Sequence, residues 1–184
     1  MNFREAVKGI LDADEFPESA LRWLLTNWDE SCNALLQTLA RTVRDGENAS
    51  DEAFHQAGYL FFLMAEKRET RALAPLLSLI RAPECADAMF LGNAQEELAR
   101  IVVSLFDGDL APLMALAEDQ RADIEGRMAV FAALAGIGIL DEAEGRPLRT
   151  AIEAWLSGVA RDSRPGDTVF WGGWAICAAM MGLE

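Results

Sequence analysis

Hydrophobic residues recur along this chain at the three- and four-residue spacing of amphipathic helices, and the alternating runs typical of β-strands are missing. The pattern predicts an all-α protein of roughly ten helices with short connections between them. We place these helices near residues 3–12, 17–27, 29–44, 51–67, 72–81, 94–106, 110–118, 124–138, 147–161 and 167–182.

Local signals support several of these boundaries. A Thr, Asn or Asp three positions before an acid resembles a capping box, which predicts helix starts at Thr26, Asn93 and Asp141. Ser50 precedes two acids, which suits the positive end of a helix dipole. Glycine favours the backbone conformation found just after a helix, which predicts helix ends at Gly46, Gly92 and Gly108.

Two of the predicted helices are apolar on all sides. Residues 57–65 read AGYLFFLMA, and residues 128–140 read MAVFAALAGIGIL. Because a surface helix keeps a polar face, both segments are predicted to lie between other helices, with 57–65 at the centre of the core.

One phrase occurs twice: LAPLLSLI at residues 73–80 and LAPLMALA at 110–117. Pro75 and Pro112 are 37 residues apart, and Pro147 follows 35 residues later, again before a leucine. Proline suits the first turn of a helix because its missing N–H is not needed there. We therefore expect a helix to begin at or just before each of these prolines.

The repeated unit is an apolar helix, a turn and a helix opened by Pro-Leu, near residues 51–81, 94–118 and 124–161. A period in this range is typical of a helical solenoid, in which stacked hairpins share one core. The alternative is an irregular bundle with one chance match, which we rank lower because three prolines fall in register. The chain of 184 residues then forms a single repeat domain.

The segments ETRALAPLLSLI and DGDLAPLMALA resemble HEAT-type helical repeats. The stretch from 55–84 through 97–120 more closely resembles the bacterial family called domain of unknown function 1186. The resemblance implies an α-α superhelix of HEAT-like, armadillo-type repeats, and it implies no established activity. Some relatives continue into a cysteine-rich metal-binding segment, a pattern that this sequence lacks.

The formal net charge is −14, and the acids are spread along the whole chain. Nucleic acids and anionic membranes bind clustered Lys and Arg, so neither is an expected partner, whereas a basic protein or peptide is compatible. The charge-free runs 128–140 and 169–183 are shorter than the ~20 apolar residues of a membrane span. The first ten residues lack a signal-peptide pattern, so we expect a cytoplasmic protein.

Residues that could carry chemistry are few. His55 is the only histidine, and Cys32, Cys85 and Cys177 are scattered, which argues against a zinc site or a disulfide framework. Asp107 and Asp109 are better explained as turn and helix-start residues than as a cation site. Adjacent acids on a helix point about 100° apart, so Glu96 and Glu97 are not expected to face each other. We predict no catalytic residue, no cofactor and no metal ligand.

Two functions stay open. The first is a non-enzymatic scaffold that binds a protein or peptide on a helical-repeat surface, and the second is an enzyme or small-ligand protein with a pocket in the concave face. Trp171 and Trp174 share a face of the last helix, with Trp155 expected nearby, which suits either core packing or an aromatic partner site. Residues 169–183 are apolar nearly all round, so we expect further helices or a second copy to cover them.

Overall fold

A computed structural model describes residues 1–11, 16–82, 89, 94–144, 147–159 and 166–183. Ten α-helices and no strand occur in this part of the chain. They are α1 (Phe3–Leu11), α2 (Glu18–Thr26), α3 (Trp28–Asp45), α4 (Asp51–Glu66), α5 (Leu73–Leu79), α6 (Ala94–Leu105), α7 (Ala111–Glu118), α8 (Ile124–Glu144), α9 (Leu148–Val159) and α10 (Thr168–Met180). The predicted all-α class is confirmed.

Two predicted helix starts are wrong. Thr26 is the last residue of α2, and its hydroxyl donates to the Arg22 carbonyl oxygen at 2.8 Å. Asp141 lies inside α8, which runs six residues beyond the predicted end at 138. A carboxylate oxygen of Asp141 instead accepts from the backbone N–H of Arg149 at 3.0 Å, so it caps the first turn of α9. The third predicted start, Asn93, lies outside the described residues, as does Gly92.

Other boundary signals act as expected. The Ser50 hydroxyl accepts from the Ala53 N–H and caps α4, and Gly46, with φ of +51°, ends α3. Gly108 also has a positive φ, but it lies in the turn that follows Phe106 rather than directly at a helix end.

The three prolines lie at helix starts. Helix α5 begins two residues before Pro75, after a 3-10 turn at Thr70–Ala72, and α7 begins one residue before Pro112. Helix α9 begins just after Pro147, one residue later than predicted, and the Pro147 carbonyl accepts its first backbone hydrogen bond.

The two apolar helices are buried over most of their surface, although Phe62, Ile139 and Leu140 are exposed. Phe61 and Leu63 of α4 are 0% and 4% exposed, which confirms that this helix belongs to the core. Helix α8 occupies the most enclosed position of the C-terminal half, because it contacts α6, α7, α9 and α10. Its Phe131 is also fully buried.

Helices α6, α8 and α10 run in the same direction, side by side. Arg127, Phe131 and Gly138 of α8 lie close to Asp167, Gly173 and Met181, respectively. Later positions in α8 therefore meet later positions in the segment 167–181, so α8 and α10 are parallel. On the other side of α8, a Cβ at Gly136 would lie 3.3 Å from Val103 of α6. Helices α7 and α9 are the return helices between these three.

Long-range polar contacts occur at a recurring sequence separation. Six of them join residues 37 to 40 positions apart: Cys32–Glu69, Asn33–Arg71, Cys32–Arg71, Arg81–Asp119, Glu118–Trp155 and Arg127–Asp167. They extend from α3 to the start of α10. At these places a segment contacts one that lies about one helical hairpin later in the chain.

Candidate functional site

An open groove of about 560 Å³ lies along the row of parallel helices. Helix α8 forms its floor, while α6 and α10 form its two walls. The lining is Glu96, Ala99, Arg100, Val103 and Ser104 of α6, Met128, Ala132 and Gly136 of α8, and Ile176 and Met180 of α10. Most of these side chains are apolar, and the polar ones all belong to α6.

Helical periodicity explains why these residues face one groove. Met128, Ala132 and Gly136 follow each other at four-residue intervals, so they form one stripe on α8. Their small or flexible side chains leave a depression between the neighbouring helices. Ile139 and Leu140 continue on the same side of α8 and are both exposed.

The α10 wall exposes large apolar side chains to solvent. Ile176 is 44% exposed and Met180 is 49% exposed. No charged residue occurs between Thr168 and Leu183, which is unusual for a helix with a solvent-facing side. Contiguous exposed apolar surface of this kind marks interaction sites in soluble proteins.

The charged side chains of the groove lining both lie on the α6 wall. They are Glu96 and Arg100, one carboxylate and one guanidinium. The Arg100 guanidinium also lies 3.9 Å from the carboxylate of Glu97.

A buried ion pair fixes α10 against α8. The Arg127 guanidinium donates to an Asp167 carboxylate oxygen at 2.7 Å, and both side chains are only 4% exposed. Arg127 also donates to the Ala117 carbonyl at 3.1 Å, and Asp167 caps α10 by accepting from the Phe170 N–H. Burial disfavours the Asp167 carboxylate, but the hydrogen bonds from Arg127 and Phe170 outweigh it and lower its pKa.

A second cation fixes the other end of α10. The Arg149 side chain donates to the Met181 carbonyl at 2.7 Å, where the carbonyl groups at the end of α10 lack helical partners. It also contacts the carboxylates of Glu142 and Glu153. The wall that carries Ile176 and Met180 is therefore held at both ends.

The tryptophans considered as a partner site lie outside the groove lining. Trp155 stacks on Phe131 with ring centroids 5.9 Å apart, and its N–H donates to Glu118 at 2.6 Å. The Trp174 N–H donates to the Leu156 carbonyl at 3.0 Å, and Trp171 packs edge-on against Trp174. These contacts assign the aromatic cluster to packing between α8, α9 and α10.

The remaining candidates for chemistry are dispersed. His55 is exposed on α4. Asp107 accepts from the Asp109 N–H, and Asp109 accepts from the Ala111 N–H, which confirms turn and helix-start roles. Glu96 lines the groove while Glu97 faces Arg100, so the two acids diverge as expected.

The Cys32 thiol lies between two charged side chains. Its sulfur is 3.2 Å from a Glu69 carboxylate oxygen and 3.3 Å from the Arg71 guanidinium. Burial and the neighbouring carboxylate raise its pKa to about 11, which keeps the thiol protonated at neutral pH. Burial raises the pKa of Cys177 to about 12, and Cys85 lies outside the described residues.

Metal-binding clusters and membrane-crossing helices are absent from the described residues. Among these residues, His, Cys, Asp and Glu form no group of three or more that could hold a metal ion. None of the described helices combines the length and the hydropathy needed to cross a membrane.

The groove could not be predicted from the sequence. The separate signals were visible: the apolar stripe on 128–140, the charge-free segment 169–183 and the acids at 96 and 97. Nothing local indicated that these three segments lie side by side, because they are separated by two return helices.

The described part of the chain is all-helical and has an open, mostly apolar groove along α6, α8 and α10. The chain belongs to the family described as protein of unknown function DUF1186, whose model matches residues 2–142. The match includes α6 and almost all of α8, but it ends before α10. No curated protein and no solved structure matches the chain.

Proposed function

We propose that this protein is a non-enzymatic scaffold of HEAT-like repeats that binds a segment of a partner protein in the groove between α6, α8 and α10. Three observations support the HEAT-like superhelix: the prolines at helix starts, the parallel row of α6, α8 and α10, and the contacts that recur every 37 to 40 residues. Such stacks present extended surfaces along their helix rows, so the step to partner binding uses the fold as an analogy.

The observation that carries the proposal is the solvent exposure of Ile176 and Met180 on the α10 wall. Leaving such side chains in water is unfavourable, by about 25 cal/mol for each Å² of apolar surface. A partner that covers them gains this free energy. The groove is open along its length, as helix-in-groove recognition requires.

The test compares partner capture by two variants. Ile176→Gln combined with Met180→Gln makes the wall polar with a good helix former at both positions. Phe62→Gln is the matched control, because Phe62 is 43% exposed on α4 and does not line the groove. We expect partners retained by the unmodified chain and by the control to be lost from the double variant. Equal retention by all three would refute the groove as the binding surface.

A second function is favoured by the size of the groove and by Arg100. A volume of 560 Å³ is within the range of small-molecule pockets, which is about 300–1,000 Å³. Arg100 and Ser104 could hold the anionic head of an apolar ligand, such as an acyl chain. Native mass spectrometry of the purified protein tests this alternative, since a retained small molecule that the double variant loses would favour it.

A further inference from the structure

A second pocket, of about 420 Å³, lies between α2 and α4 and shares no lining residue with the groove. Helix α2 and Phe16, which precedes it, form one side of this pocket, and α4 forms the other. The volume is within the range of about 300–1,000 Å³ that small-molecule pockets occupy. We propose that the pocket binds the head group of a small quaternary ammonium compound.

Three aromatic side chains line the pocket: Phe16, Tyr59 and Phe62. Tyr59 and Phe62 are three residues apart, so they share one side of α4. The Phe16 ring packs edge-on against Tyr59, with ring centroids 6.2 Å apart. Phe16 is still 69% exposed and Phe62 is 43% exposed, so much of their ring surface is open to a ligand. The faces of aromatic rings attract cations, because the ring quadrupole places negative charge there.

The charged side chains of the lining carry a net negative charge. They are Glu18, Arg22 and Glu66. The Arg22 guanidinium forms an ion pair with the Glu18 carboxylate at 2.6 Å, so these two charges largely neutralise each other. The carboxylate of Glu66 supplies the remaining charge. Glu66 lies four residues after Phe62, which places it on the aromatic side of α4.

The two bases that follow Glu66 in the sequence do not line the pocket. The Lys67 ammonium group lies over the Trp28 ring, 5.9 Å from the ring centroid. Arg68 lies beyond the end of α4, at a residue with a positive φ of 51°. The balance of two carboxylates against one guanidinium in the lining is therefore unchanged by these bases.

This combination of rings, carboxylate and apolar wall selects one class of ligand. Anions are repelled by the net charge, and a neutral apolar ligand takes water from the Glu66 carboxylate without offering a charge in return. A primary ammonium or a guanidinium needs several hydrogen-bond acceptors, which this lining does not supply. A quaternary ammonium group carries positive charge without N–H donors, and its methyl groups can contact Leu21, Leu25 and Leu63.

NMR titration of the whole chain tests the proposal with three probes at equal ionic strength. Choline carries the quaternary ammonium, dimethylbutanol is its uncharged isostere with carbon in place of nitrogen, and ammonium chloride carries the charge without the methyl groups. We expect choline to shift backbone amide resonances within 16–25 and 59–66, the segments that contain the lining. Choline should bind at least about fivefold tighter than either other probe.

Two variants test the ring and the carboxylate separately. Phe16→Leu keeps an apolar side chain at an exposed position, so the chain should fold, and it should weaken the binding of choline more than that of dimethylbutanol. Glu66→Gln should remove most of the preference for choline. Glu52→Gln is the matched control, because Glu52 is an exposed carboxylate of the same helix outside the pocket, and it should leave binding unchanged.

Several outcomes would overturn the proposal. Equal binding of dimethylbutanol would identify a merely apolar pocket, and equal binding of ammonium would identify attraction to the net charge of −14 alone. Choline binding that Phe16→Leu and Glu66→Gln leave unchanged, resonance shifts confined to other segments, or the absence of any shift would each show that this pocket is not an ammonium site. None of these results bears on the groove, whose lining is separate.

Discussion

Removing the positive charge of Arg127 should destabilise the protein strongly. Arg127→Met keeps an unbranched side chain but leaves the Asp167 carboxylate buried without its cation, at a site where both side chains are 4% exposed. Breaking a buried pair from one side costs about 3–5 kcal/mol in free energy of unfolding. The variant also loses the hydrogen bond from Arg127 to the Ala117 carbonyl. Through Arg127, this bond connects the end of α7 to α8 and α10.

Urea unfolding followed by circular dichroism measures this free energy, and Arg22→Met is the matched control. Arg22 and Glu18 form an ion pair with a closest distance of 2.6 Å, similar to the buried pair, but their side chains are 76% and 66% exposed. Its loss should cost no more than about 1 kcal/mol. Equal losses for Arg127→Met and Arg22→Met would refute the argument from burial.

A second substitution tests the cause of the loss. Arg127→Met combined with Asp167→Asn removes both charges and keeps an oxygen that can accept from the Phe170 N–H. It should be more stable than Arg127→Met alone, because no charge stays buried without a partner. A double variant less stable than either single variant would show that the ion pair was not the source of the effect.

The same pair predicts a pH dependence. The folded pKa of Asp167 is below its ordinary value of 3.8, so the native state binds the proton more weakly than the unfolded chain. The carboxylate therefore contributes stability above the ordinary pKa and loses it as the pH falls through the folded pKa. The stability difference between the unmodified chain and Asp167→Asn should be constant near neutral pH and shrink below about pH 4. A difference unchanged down to about pH 2 would contradict this.

Three further predictions concern the core and the thiol. Phe61→Ala should lower the free energy of unfolding by about 3–5 kcal/mol, because the ring is fully buried, and thermal melts that overlay those of the unmodified chain would contradict this. Gly173→Ala should cost about 1–3 kcal/mol in urea unfolding, because its Cβ would overlap the Phe131 ring, and an unchanged midpoint would show that the ring yields freely. Glu69→Gln should lower the pKa of Cys32 from about 11, since an amide replaces the carboxylate, and alkylation by iodoacetamide would then begin at lower pH; an unchanged pH profile would leave burial as the sole cause.

The helices themselves could be predicted from the sequence. Their periodicity, the Ser50 cap, the Gly46 end and the Pro-Leu starts are local signals, because each depends on backbone hydrogen bonds within about four residues. The burial of Phe61 followed in the same way from a segment without a polar face. The Pro-Leu phrase recurs every 35 to 37 residues. This period is close to the 37 to 40 residues that separate the partners of the long-range polar contacts.

The end of α8 shows where local signals fail. Asp141 with Glu144 has the pattern of a capping box, but α8 continues across it to Glu144, and most of the apolar residues of α8 pack against four other helices. The Asp141 carboxylate then caps α9 instead. Tertiary packing determined which helix the Asp141 carboxylate caps, since a carboxylate can cap the start of either helix.

The groove was decided by the tertiary structure alone. The sequence determined that Met128, Ala132 and Gly136 lie on one side of a helix and that the segment 169–183 carries no charge. It did not determine that α10 lies beside α8, which depends on Arg127 meeting Asp167 and on Gly173 admitting the Phe131 ring. These contacts join residues about 40 positions apart, and they form only when the return helix between them has folded back. The residues that determine a helix are close together in sequence. A surface between helices depends instead on which helix faces pack against each other and exclude water.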